Sequence, residues 1–175
     1  MTEKEFIKRV VNGKGDFLQT FIDLLKINRI KFCVIGGLGV NAYAEPVVSL
    51  DLDVVIVSQN LETLLPQLKK KYKVEKFPNS TNVNDPTSAL RIQIQTGVRY
   101  QDFIKRAKLK NVLGYKLPVA AVEDILQGKI WAAMDETQRP SKRQKDLADI
   151  LRLIEVNKKL AVLLPEKLRR GLRIH

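Results

Sequence analysis

Histidine and cysteine are almost missing from this chain of 175 residues: the only histidine is His175, the last residue, and the only cysteine is Cys33. One cysteine excludes an internal disulfide, and the apolar setting Phe32-Cys33-Val34-Ile35 reads as a buried, inert thiol. With the sole histidine at the far end of the chain, a Cys–His nucleophilic pair is not expected. Long apolar runs are also lacking. No stretch of about 18 apolar residues occurs, and the opening Met-Thr-Glu-Lys-Glu-Phe-Ile-Lys-Arg carries acids and no apolar signal region. A cytoplasmic chain with no membrane partner is therefore expected. Acids are scarce beside bases, 19 Asp and Glu against 31 Lys and Arg, which leaves a formal charge of +12. That excess favours polyanionic partners such as nucleotides or RNA. Aromatic residues make up only 6% of the chain, and none are interleaved with the basic clusters in the manner of an RNA-stacking platform.

The remainder is ordinary for a globular protein, with 45% hydrophobic and 29% charged residues, so one domain with a genuine core is expected. The basic residues gather in Lys69-Lys70-Lys71, in Lys105 to Lys110, in Arg139 to Lys145 and in Lys167 to Arg173. Each cluster suits either a solvated face or phosphate binding.

Hydrophobic periodicity predicts helices over 3–12 and 16–28, the second with Asp16 as N-cap and Phe17, Phe21, Leu24 and Leu25 inward. A short buried strand over 31–35 ends at Gly36-Gly37, and a helix follows over 38–44. Strand residues 51–57 precede a helix over 60–71 that Pro66 interrupts. Residues 72–77 read as a strand, 78–86 as a polar loop, and 89–95 as a strand with Gln93 and Gln95 on its wet face. A short helix over 100–107 and an extended segment over 111–117, with Gly114 inside it, lead to Pro118. The remainder is helical, over 122–134, 141–156 and 165–172. The expected division is a sheet-containing core over about 1–118 and a helical part over about 119–175.

Asp51 and Asp53 are the most informative pair. At i and i+2 of a strand, both carboxylates project from the same face. Two adjacent anions repel, and a hard cation relieves them; Mg²⁺ prefers one or two carboxylates together with substrate phosphates. A solvated strand face is the alternative, and spacing alone leaves both open. Upstream, the strand, glycine turn and helix at Gly36-Gly37 suit a phosphate, because glycine lets backbone approach a ligand closely. Glu123 and Asp124 read as first-turn carboxylates of a helix. Lys129 lies in an apolar helical segment, and Asp146 and Asp149 share a helix face, a spacing that suits salt bridges.

Taken in order, these features resemble a known family. Val34-Ile35-Gly36-Gly37, thirteen residues, then Asp51-Leu52-Asp53-Val54 is similar to the signature of the nucleotidyltransferase superfamily. Glu123 to Lys129 and Lys145 to Ile150 resemble the C-terminal motifs of its AbiEii-like branch, which includes toxins of toxin-antitoxin systems. The resemblance spans residues 30 to 155. It implies an α/β (α+β) fold, a mixed sheet flanked by helices, with a helical C-terminal part. It also implies a Mg²⁺- or Mn²⁺-dependent transfer of a nucleoside monophosphate from an NTP to RNA, protein or another acceptor, with an antitoxin as a further partner. By the same resemblance, Asp51 and Asp53 hold the metal; Gly36, Gly37 and Ser49 belong to the nucleotide site; Lys129 and Lys145 contact phosphate; and Asp146 or Asp149 orients those lysines or the nucleotide.

The chain departs from the family pattern at two places. Where a third carboxylate stands on a later strand, Gln93 falls; an amide oxygen can ligate a metal but cannot act as a base. Asp102 is near in sequence but fits a helix. Before the aspartates, Val47-Val48-Ser49 replaces an Arg-x-Thr step and keeps only a hydroxyl. The alternative expectation is thus a catalytically inactive member of the fold that binds nucleotide or RNA.

Overall fold

The computed structural model describes residue 5 and residues 16–174. The helix expected over 3–12 lies outside the described residues, apart from Glu5. The first described helix, α1 (Phe17–Ile27), begins where Asp16 caps it: the carboxylate accepts the Gln19 N–H at 3.0 Å. Phe17, Leu18, Phe21, Ile22 and Leu25 form its buried face. The fully buried strand β1 (Phe32–Ile35) runs directly into the short helix α2 (Gly36–Asn41).

β2 (Asp51–Ile56) is antiparallel to β1 and leads into α3 (Ser58–Lys69). Pro66 was expected to interrupt this helix, yet the helix runs through it. The missing N–H removes the helical partner of the Glu62 carbonyl alone, and Glu62 is exposed. Leu61, Leu64, Leu65 and Leu68 are all buried, and that packing holds the last turn.

The polar stretch 78–86, expected as a loop, contains a strand. β3 (Lys73–Lys76) turns back into β4 (Ser80–Asn84), which pairs on its other side with β5 (Arg91–Gln95). Thr81 and Val83 point into the core while Ser80, Asn82 and Asn84 alternate outward. Two neighbouring strands supply the hydrogen bonds, so position in the sheet overrides polar composition. After a 3₁₀ turn (Val98–Tyr100) and α4 (Phe103–Arg106), the segment expected as one extended piece is a hairpin of β6 (Lys108–Val112) and β7 (Tyr115–Val119). Leu113 and Gly114 both have positive φ, 53° and 77°, the turn geometry that matches strand twist in a two-residue hairpin.

The seven strands lie in the order β3-β4-β5-β2-β1-β7-β6. β2 runs parallel to β5 and β1 parallel to β7; the other pairs are antiparallel. This is a mixed sheet flanked by helices. One face of β2 and β5 carries Leu52, Val54, Ile92 and Ile94, all buried. The other face carries Asp51, Asp53, Arg91 and Gln93.

The helical C-terminal part consists of α5 (Val122–Met134), α6 (Pro140–Val156), a 3₁₀ segment (Lys158–Leu163) and α7 (Glu166–Gly171). α5 packs on α6, and both meet α2. Glu123 and Asp124 lie in the first turn of α5, as expected, and Asp124 makes a further tie. Its carboxylate accepts two hydrogen bonds from Arg106, at 2.8 and 2.7 Å, and so ties α5 to α4. Trp131 and Met134 of α5 are half-buried and pack against the core. Among the described residues, no helix is long and apolar enough to cross a membrane.

Candidate functional site

The sheet register assembles the site. Asp53 of β2 stands opposite Ile35 of β1 on one side and Gln93 of β5 on the other, and Gln93 in turn stands opposite Asn82 of β4. Two residue pairs along, on the same face, Asp51 is opposite Arg91. A row of oxygen-bearing side chains thus crosses the middle of the sheet on a single face.

Gly36 makes that row possible. Its φ is +67°, and a Cβ built on it would fall 2.0 Å from Asp53 Oδ2, so no side chain fits between the β1–α2 junction and the carboxylate. Beside it, the Ser49 hydroxyl lies 3.5 Å from where a Cβ of Gly37 would be. Bare backbone therefore borders Asp53, and a hydroxyl covers the next residue.

The electrostatics differ between the two aspartates. Asp51 is matched: Arg91 reaches its Oδ1 with Nε at 2.9 Å and with an Nη at 2.8 Å. Asp53 accepts no hydrogen bond among the described residues, and its removal from water pushes its carboxyl up to about 6. That net position already includes Lys129, which lowers it, Asp51, which raises it, and Lys142 and Arg91, which lower it. The sequence offered no reason to single out Arg91, although its place two residues before Gln93 on the same strand face is the signal that finds it.

Facing the sheet, the helical part contributes a buried charge cluster. Lys129 Nζ on α5 lies 2.7 Å from Asp146 Oδ1 and 2.7 Å from Asp149 Oδ2, both on α6. Arg152 completes the cluster, 2.7 Å from Asp149 Oδ1. Burial alone would push the Lys129 ammonium down; Asp149 and Asp146 outweigh it and hold the group above its ordinary value. Asp146 also accepts from Gln138 Nε2 at 3.0 Å. Arg152 reaches across to Asn41 Oδ1 at 2.8 Å and to the Glu45 carbonyl, and Asn41 holds Val47 through two hydrogen bonds of 2.7 and 3.1 Å.

Between the sheet and α6 lies a polar cleft of about 480 Å³. Gly37, Ser49, Asp51, Asp53 and Gln93 form its sheet side. Lys129, Arg139, Lys142, Lys145 and Asp146 form its helical side. A smaller pocket of about 140 Å³ opens from it, reaching Gly36. Of the residues singled out from sequence, nine line these two spaces, and Asp149 lies behind them as a support for Lys129. Asp102, the substitute considered for the missing acid, is not among them; it is exposed and pairs with Lys105 at 2.8 Å. Asn82 was missed because its strand read as a loop. It lines the cleft, and its Oδ1 is buried without a hydrogen-bond donor among the described residues.

Asp51, Asp53, Gln93 and Asn82 offer only oxygen ligands and amides, a set that suits a hard divalent cation rather than a soft one. No cluster of three or more His, Cys, Asp or Glu side chains able to hold a metal occurs among the described residues. Two carboxylates with vacant lone pairs, a glycine that clears space at Asp53 and an orphaned amide oxygen fit a cation that takes its remaining ligands from a substrate.

A mixed sheet that presents two carboxylates beside a Gly-Gly turn, with helices closing a basic cleft over them, is the nucleotidyltransferase fold. Solved structures bear this out. The lincosamide antibiotic adenylyltransferase LnuA, in its lincomycin-bound form, superposes with a TM-score of 0.56 at 14% identity, over 81% of this chain and 98% of that one. ANT(2")-Ia in complex with adenylyl-2"-tobramycin gives a TM-score of 0.60 at 13% identity, over 89% and 94% of the two chains. A putative nucleotidyltransferase from Thermotoga maritima gives 0.52 at 15%, over 86% and 95%. No family model and no curated protein matches this chain. At these identities the likeness is one of fold.

Proposed function

We propose that this chain transfers a nucleoside monophosphate from an NTP to an acceptor, with Asp51 and Asp53 as its metal-binding carboxylates. The observation that carries the reading is the placement of both aspartates on one face of β2, against the bare backbone of Gly36, on the floor of a basic cleft. Asp51 and Asp53 would hold Mg²⁺ or Mn²⁺, which would supply positive charge to offset the negative charge that builds on the phosphates during transfer.

The chain's own residues would do the rest. Gly36, Gly37 and the Ser49 hydroxyl border the place for the polyphosphate. Lys145, with Lys142 and Arg139, lines the opposite wall and supplies positive charge to it. Lys129 is held rigidly by Asp146 and Asp149, so its ammonium adds a fixed positive field beside Asp53 rather than a flexible contact. Gln93 offers an amide beside Asp53 and no base, so the acceptor's proton would leave to water or to a substrate oxygen.

Two of the fold relatives carry names that describe adenylyl transfer or an adenylyl product on an antibiotic, which supports nucleotidyl transfer as the reaction class. For this chain, an RNA or protein acceptor accords with the charge of +12. We further read the chain as a single unit with its division near residue 118, as an AbiEii-like member, and as the toxin of a toxin-antitoxin pair. Growth arrest on expression, relieved by a co-expressed neighbouring gene, is the expected outcome for that last point; unimpaired growth sinks it.

One observation favours a second reading. Gln93 occupies the position beside Asp53 where a third acid would serve as base, and this suits a protein that binds nucleotide or RNA without turning it over. The deciding experiment incubates the protein with each α-labelled NTP, Mg²⁺ and total RNA or total protein, comparing wild type with Asp53→Asn. Label transferred by wild type and lost in the variant supports the enzyme. NTP binding with no transfer to any acceptor supports the second reading.

A further inference from the structure

Arg91 gives the proposed metal site a cation of its own. It is exposed, shares the sheet face of Asp51, Asp53 and Gln93, and lines the cleft. Both nitrogens that reach Asp51, Nε at 2.9 Å and one Nη at 2.8 Å, meet the same oxygen, Oδ1. Among the described residues, Asp51 Oδ2 accepts no hydrogen bond and the other Nη of Arg91 donates none. Asn84 stands opposite Arg91 on β4, yet the two side chains make no hydrogen bond. Asp51 alone anchors the guanidinium among the described residues.

An ion pair across two strands of a wet sheet face is common and contributes little to stability. Two features set this one apart. The first is charge balance. Lys129 is already matched by Asp146 and Asp149, so Arg91 is the group that directly offsets the aspartate pair, and it halves the negative charge offered to a divalent cation. The second is how loosely it is held. The side chains of Arg91 and Asp51 are 54% and 38% exposed, so parting them strands no buried charge. On the opposite wall, Arg139, Lys142 and Lys145 pair with no carboxylate among the described residues, and a polyphosphate drawn to them would meet the spare donors of Arg91 on the sheet side. A guanidinium presents a planar fork that fits phosphate oxygens as well as it fits a carboxylate.

We infer that Arg91 is a resident counter-cation of the aspartate pair: it holds down the pair's affinity for a divalent cation alone, and turns from Asp51 to the phosphates when a polyphosphate enters the cleft. Asp51 then recovers its full charge only with substrate present, so cation and substrate are retained together. The inference rests on the reading of Asp51 and Asp53 as metal-binding carboxylates given above. It makes Arg91 a positioning residue that acts through Asp51.

The test reads binding without turnover. Mn²⁺ is titrated into the full chain at pH 8 with the free ion followed by electron paramagnetic resonance, and inorganic tripolyphosphate is titrated separately in EDTA by calorimetry. Arg91→Gln should bind Mn²⁺ alone about tenfold tighter than wild type, the effect of removing one positive charge beside a divalent cation even at the dielectric of water. The same variant should bind metal-free tripolyphosphate several-fold more weakly. Arg91→Lys, which keeps the charge, should lie nearer wild type in both titrations. All three proteins should melt close together, because the pair is half-exposed. Opposite signs for the two ligands are the signature: an arginine that merely holds Asp51 in place would, on removal, weaken Mn²⁺ and leave tripolyphosphate alone. The inference is overturned if folded Arg91→Gln binds Mn²⁺ no tighter than wild type, or binds tripolyphosphate as well as wild type. In either case, loss of Mn²⁺ binding in Asp53→Asn would leave the metal reading standing. Should neither wild type nor Arg91→Gln bind Mn²⁺, with or without tripolyphosphate, the metal reading itself fails, and the role of Arg91 with it.

Discussion

Replacing Lys129 by methionine tests the charge cluster that joins α5 to α6. The side chains of Lys129, Asp146 and Asp149 are only 10%, 6% and 5% exposed, so solvent cannot take over the lost cation. Removing one member of a buried pair costs about 3–5 kcal/mol, because a charge is left without compensation. The loss is unequal: Asp149 keeps Arg152 at 2.7 Å, whereas Asp146 keeps only the neutral amide of Gln138. The expected cost is therefore near the lower end, about 3 kcal/mol at pH 8, or a fall in Tm of about 6–12 °C for a chain of this size. Acid should relieve it. An orphaned, buried Asp146 takes up a proton more readily folded than unfolded, so the gap to wild type narrows as pH falls. Lys129→Met with Asp146→Asn should regain most of the loss at pH 8. Urea unfolding at pH 8 and pH 5, without nucleotide, measures all three proteins. A Lys129→Met variant within about 1 kcal/mol of wild type at pH 8, with no narrowing at pH 5, refutes the argument that this lysine neutralises a buried pair.

Other expectations follow from the sheet side of the cleft. Burial raises the Asp53 carboxyl to about 6, so its ionised form costs the folded state up to roughly 3 kcal/mol, a cost that sets in as pH rises from about 4 through about 6. Asp53→Asn should then melt higher than wild type at pH 8 and about level with it at pH 4, and Mg²⁺ should stabilise wild type but not the variant. Gly36→Ala places a methyl group on Asp53 and an L side chain at φ +67°, so it should lose nucleotide binding and cost well over about 1 kcal/mol. Asp102→Asn should leave nucleotide binding unchanged, since the carboxylate is exposed and pairs with Lys105; a loss of more than about threefold would reinstate it as the missing acid.

Much of the site was legible because it is carried by local pattern. Strand alternation put Asp51 and Asp53 on one face, and the Gly-Gly turn announced a close approach of backbone. Helix spacing paired Asp146 with Asp149. Partners set by sheet register were not legible. Nothing in the sequence near Asp51 indicates that Arg91, forty positions away, neutralises it. Nor does anything near Asn82 reveal a strand, because Ser80 to Asn84 reads as a loop until β3 and β5 flank it. Likewise, the first-turn place of Asp124 is local and legible, while its partner, Arg106, arrives from α4 and is not. The aromatic group of Tyr100, Phe103 and Trp131 was hidden for the same reason, since two helices and a turn bring it together.

The chain of contacts from Lys129 through Asp149 and Arg152 to Asn41 and Val47 has a mechanical consequence. It fastens α5 and α6 to the loop that enters β2, so the two walls of the cleft are held together. Separating them would break the hydrogen bonds from Arg152 to Asn41 and to the Glu45 carbonyl, which opposes a jaw-like swing of the helices away from the sheet. A ligand of the cleft would therefore enter by its open side, past Lys142 and Lys145, rather than through the opening of a hinge.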